Sequence, residues 1–95
     1  MRPPLLPDAD LDAALRTLDG WHRAGTAITR TVEFPGFPDA IAFVTRLAFA
    51  AEALDHHPDL DIRYAKVTVT LSTHSAGGVT ALDVQLATTV NALVP

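Results

Sequence analysis

The sequence predicts an α+β fold, an antiparallel sheet with helices packed on one face. Three observations lead there. The elements read from the residue pattern run α-β-β-α-β-α, which leaves few βαβ crossovers for a parallel sheet. The clearest strand alternates, with Val67, Val69 and Leu71 against Lys66, Thr68, Thr70 and Ser72, the mark of a half-buried strand. The chain has 95 residues and is 48% apolar, the size and composition of one compact domain over 1–95.

Residues 1–7, with three prolines, read as a Pro-stiffened flexible tail. The first helix is expected from Asp8 or Asp10 to Leu18. Leu11, Ala14, Leu15 and Leu18 recur at helical spacing, and Gly20 stands where a C-terminal cap belongs. Trp21 to Arg23 and Ala27 to Phe34 read as strands around a turn at Ala24-Gly25-Thr26. In the second, Ile28, Val32 and Phe34 share one parity, with Arg30 interrupting. Pro35-Gly36-Phe37-Pro38 then breaks the pattern.

A long helix follows, Asp39 to Leu54, with Ala40, Phe43, Val44, Leu47, Ala51 and Leu54 as a broad apolar stripe. Pro58 ends it and biases His57 towards an extended backbone. The main strand spans Ile62 to Thr73, and a further short strand fits near Leu60. Ser75-Ala76-Gly77-Gly78 makes a loop. The last helix begins at Thr80, with Leu82, Leu86, Val90 and Leu93 as its seam. So small a domain buries little surface alone, and a free sheet edge pairing with a second copy would add to it.

Composition narrows the function. The net charge is −4, and the seven basic residues nowhere form a run of three, which speaks against nucleic acid and against an anionic membrane surface. With no cysteine, thiolate catalysis, disulfides and Cys-bound zinc are excluded. No signal peptide or membrane span is apparent, so the expected location is cytoplasmic.

His56, His57 and His74 stand at element ends, where side chains enter clefts held by rigid structure. Histidine both donates and accepts protons near neutral pH. His22 reads as a surface residue. Blander readings stand beside the catalytic one. A His pair at a helix C-terminus stabilises the dipole, and Thr80-Ala81-Leu82-Asp83 has the form of a capping box with Asp for the usual Glu. Glu52 and Asp55 fit solvated helix-end acids. These acids with the histidines form a donor set for zinc or iron, but adjacent His56 and His57 diverge and no His-x-x-x-His pair exists. Ser72 and Ser75 lack a nucleophile elbow, and Gly77-Gly78 lacks the lysine of a phosphate loop.

Glu52-Ala53-Leu54-Asp55-His56-His57-Pro58, then Tyr64, His74 and Asp83, resembles the signature of the pterin-4a-carbinolamine dehydratases in type and in interval. Gly20-Trp21, Phe34, Phe37, Arg46, Ala51, Lys66-Val67 and Leu71-Ser72-Thr73-His74 fit the same pattern. The resemblance implies a four-stranded antiparallel sheet with about three helices on one face, and assembly as a homodimer or homotetramer. It implies a hydro-lyase that dehydrates a 4a-hydroxytetrahydropterin to a quinonoid dihydropterin, supporting tetrahydrobiopterin recycling after aromatic amino-acid hydroxylation, with no cofactor and no metal. By position, His56 and His74 would be the acid–base pair and His57 would bind and orient the pterin. Asp55, Ser72, Thr73 and Ser75 would line the pocket, with Glu52 and Asp83 behind the imidazoles. Leu60 and Leu82 depart from the pattern, which has Trp and Arg there in some members. A non-catalytic pterin-binding or protein-assembly factor on the same scaffold is the alternative.

Overall fold

The computed structural model describes residues 3–95. In chain order it contains α1 (Asp8–Thr17), β1 (His22–Ala24), β2 (Ala27–Glu33), α2 (Phe37–Leu54), β3 (Asp59–Arg63), β4 (Lys66–Leu71), a 3₁₀ turn (His74–Ala76) and α3 (Ala81–Leu93). The strands form one antiparallel sheet in the order β1-β2-β4-β3. Ile28 lies opposite Leu71, and Val32 opposite Val67. This face packs against Leu11 of α1, Phe43 and Leu47 of α2, and Leu86 and Val90 of α3. Phe34 and Phe43 stack tilted, with ring centroids 5.1 Å apart. The other face is open and carries a threonine ladder, Thr29 beside Thr70 and Thr31 beside Thr68.

Arg30 has the inward parity, opposite Val69. Its guanidinium donates to the Asn91 side-chain carbonyl on α3, which Trp21 Nε1 also reaches at 2.8 Å. The interrupting arginine thus ties the sheet to the last helix.

Four expectations change. The strand expected over Ile62 to Thr73 is the β3–β4 hairpin, turning at Tyr64-Ala65 with Tyr64 at φ +52°. The strand foreseen near Leu60 is β3, and Ile62 and Arg63 belong to it. α2 starts two residues before Asp39, because proline in the first helical turn gives up an N–H that has no partner there. The segment before α1 is not a free tail over its described part: Leu5 bridges Thr80, and the Leu6 N–H donates to the Val79 carbonyl at 3.0 Å. Met1 and Arg2 lie outside the described residues. The inward face of α3 carries Asp83, Leu86, Ala87 and Val90, while Leu82 and Leu93 are only half-buried. No helix among the described residues is long and apolar enough to cross a membrane.

Candidate active site

Local backbone chemistry sets the two adjacent histidines. α2 ends in a left-handed residue, Asp55, at φ 51° and ψ 42°. The Asp55 N–H donates to the Glu52 carbonyl and the His56 N–H to the Ala51 carbonyl, each at 3.1 Å. This 5→2 and 6→1 pairing is a Schellman motif, and it turns the chain sharply at the helix end. His56 thereby swings inward and is 9% exposed, whereas His57 remains exposed.

The two imidazoles are held by different acids. His56 Nε2 lies 2.5 Å from Asp83 Oδ1 on α3, and His57 Nε2 lies 2.7 Å from Glu52 Oε1 on α2. The divergence expected of sequence neighbours is present, and Glu52 and Asp83 each stand behind a histidine. Among the described residues no group of three or more His, Asp or Glu is placed to hold one metal ion.

Asp83 combines both readings of its sequence position. Its Oδ2 accepts from the Thr80 N–H at 2.9 Å, completing a capping box, and from the Thr73 hydroxyl at 2.8 Å. Thr73 has one hydroxyl proton, so in the 2.7 Å contact between Thr73 and Thr80 the Thr80 hydroxyl donates. Thr80 in turn accepts from the Leu82 N–H at 3.3 Å. Asp83 is fully buried, and its remaining oxygen faces His56. An ionised carboxylate only accepts, so His56 turns the Nε2 proton to Asp83 and Nδ1 is the ring nitrogen left for other chemistry.

His74 arrives from the far side. The Thr73 N–H donates to the Gly78 carbonyl at 2.8 Å, and the Gly78 N–H to the Thr73 carbonyl at 3.3 Å. The pair pinches off the loop that presents His74. Gly77 closes it at φ +79°, a conformation that favours glycine. A Cβ on Gly78 would stand 2.9 Å from the tip of the Leu5 side chain, so the N-terminal segment packs close over this bare position.

The three histidines meet at a cleft of about 360 Å³ lined also by Asp55, Pro58, Asp59, Ser72, Thr73 and Ser75. A cleft of this size is within the range of small-molecule sites. Two lining residues differ from expectation in what they offer. The Thr73 hydroxyl and N–H are both spent inside the protein, so Thr73 braces the site through Asp83. The Ser72 hydroxyl donates to the Thr26 carbonyl at 3.0 Å, which leaves it an acceptor. Asp59 was not singled out by sequence and carries no motif signal; only the β3–β4 pairing brings it here.

A model of the pterin 4 alpha carbinolamine dehydratase family matches residues 4–93. The chain belongs to that family. A protein of Nocardia farcinica (strain IFM 10152), provisionally named pterin-4-alpha-carbinolamine dehydratase, is 52% identical over 93 residues, covering 98% of each chain. One from Roseiflexus castenholzii (strain DSM 13941 / HLO8), named in the same way, is 51% identical over 90 residues, covering 95% of this chain and 97% of its own. The crystal structure of a transcriptional coactivator/pterin dehydratase from Brucella melitensis superposes with a TM-score of 0.93 at 43% identity, over 96% of this chain and 99% of that one. A pterin dehydratase-like protein identified as a RuBisCO assembly factor in the alpha-carboxysome gives a TM-score of 0.68 at 22% identity, over 79% of this chain and 89% of that one. At that identity the likeness is one of fold.

Proposed function

We propose that this member of the carbinolamine dehydratase family removes water from a 4a-hydroxytetrahydropterin to give the quinonoid dihydropterin, in support of tetrahydropterin recycling. The observation that carries the reading is the convergence of His56 and His57, from the end of α2, with His74, from beyond β4, on one cleft. The reaction breaks the C4a–O bond as a proton reaches the departing hydroxyl. The N5 proton is lost, and its electron pair forms the C4a–N5 double bond. Redox state does not change.

In this mechanism His56 and His74 share the two proton transfers. His56 works through Nδ1, because Nε2 is committed to Asp83. The Asp83 carboxylate fixes that tautomer and favours the imidazolium that forms when Nδ1 takes a proton. His57, steadied by Glu52, binds and orients the ring. Asp55 and Ser75 line the pterin, Ser72 offers an acceptor, and Thr73 acts from behind through Asp83.

The test is the dehydration rate of a freshly generated carbinolamine. His74 is exposed on its loop, so His74→Ala keeps the fold and lowers the rate by about 10²–10⁴-fold. Full activity in that variant would remove the assignment. The assembly-factor reading draws on the RuBisCO-associated neighbour of this fold. It predicts no quenching of pterin fluorescence on titration with the protein, where the enzyme reading predicts saturable quenching.

A further inference from the structure

The histidine cleft borders a second hollow of about 370 Å³ on the open face of the sheet. Asp59, Ser72 and His74 line both spaces, and Thr26, Thr70 and Gly77 belong to the second. Three of its polar side chains, Asp59, Thr70 and Ser72, share one property. Thr29 Oγ1 donates its only proton to the Val69 carbonyl at 3.1 Å, so in the 3.2 Å pair of Thr29 with Thr70 the donor is Thr70. Ser72 has likewise spent its proton on the Thr26 carbonyl. Thr70 and Ser72 therefore turn only lone pairs to the hollow, and Asp59 adds an exposed carboxylate. Such a surface receives hydrogen-bond donors and repels anions.

We infer that this hollow binds the substituent at C6 of the substrate and selects a neutral, hydroxylated chain over a methyl group or a carboxylated one. The inference rests on the dehydratase reading. Covalent connectivity supports it: C6 is bonded to N5, one of the two atoms where protons move. A pterin whose N5 edge meets His74 must project its C6 substituent beside His74, the wall common to the two spaces. Each hydroxyl there finds an acceptor, whereas an anionic tail meets Asp59.

The experiment compares two carbinolamines, one with dihydroxypropyl at C6 and one with methyl, on wild type, Thr70→Val, Thr70→Ser and Asp59→Asn. Thr70→Val is expected to raise KM for the dihydroxypropyl substrate about fivefold, and Asp59→Asn about tenfold. The kcat values and the methyl kinetics of Thr70→Val should stay unchanged, which also controls for folding. Thr70→Ser, which keeps the hydroxyl, should behave as wild type. Asp59→Asn should also narrow the discrimination against a carboxylated C6 chain. If the ratio of the two KM values is the same in all four proteins, the inference is wrong although the enzyme reading stands. If wild type dehydrates neither compound, the enzyme reading falls and takes the inference with it.

Discussion

Asp83 and Glu52 show how one role in sequence becomes two in space. Both acids touch a histidine, yet Asp83 is sealed in the core while Glu52 is exposed. Removing Asp83 strands the Thr80 N–H, the Thr73 hydroxyl and His56 Nε2 in a buried place. Asp83→Ala should therefore lower unfolding free energy by about 3–5 kcal/mol, the cost of breaking one side of a buried pair. Glu52→Ala should cost less than about 1 kcal/mol, as for exposed pairs. Urea denaturation of both variants checks the contrast, and equal losses would show that the Asp83 network is not what holds the α2–α3 junction. Both roles of Asp83 are legible in the sequence, the cap from Thr80-Ala81-Leu82-Asp83 and the acid behind a histidine from the family resemblance. What sequence left open was that one carboxylate fills them together, one oxygen for each.

At the scale of elements, the turn after α2 and the β3–β4 hairpin do most to build the cleft. Asp55 holds the left-handed position of the Schellman turn without being glycine. Asp55→Gly should hold or raise stability by up to about 1 kcal/mol, since glycine is the preferred residue there. Asp55→Val should lose about 1–2 kcal/mol, because a Cβ branch crowds the carbonyl in that conformation. Thermal unfolding separates them, as 1 kcal/mol moves Tm by roughly 4–8 °C in a domain of this size. Indistinguishable Tm values would mean that the turn is set by packing of His56. The hairpin was hidden because Tyr64-Ala65 carries no Gly, Pro, Asn or Asp. Ala65 is nonetheless anchored, buried and accepting from the Phe34 N–H at 2.9 Å. A bond across thirty-one positions leaves no trace in local periodicity.

For the whole molecule, the sheet ends in two unequal edges. β1 has three residues, whereas β3 has five, all exposed. Leu60 and Ile62 of β3 face the helix side opposite Val69 and Val67, yet stay 38% and 39% exposed. A long edge with half-covered apolar residues invites another strand. The homodimer implied by the family resemblance is therefore expected to form along β3. Ile62→Lys should then weaken the dimer at least about tenfold by placing a charge in that seam. Light scattering across a dilution series measures it, and an unaltered dimer would place the contact elsewhere.

The sequence by itself determined the helices, the inward face of β4, and which residue types enter the site. Those follow from short-range periodicity and from a signature whose residues lie close along the chain. His56 and His57 were certain to diverge, because backbone geometry separates neighbours wherever they fall. Only the tertiary structure decided where each proton points. It turned Thr73 inward to Asp83, sent the Ser72 hydroxyl to the β1–β2 turn, bound Leu5 to Thr80 and brought Asp59 beside His74. Hydrogen bonds of buried groups must be satisfied, but the partners come from elements far apart in sequence. Their choice is settled by packing, after the pattern of apolar residues has fixed the fold.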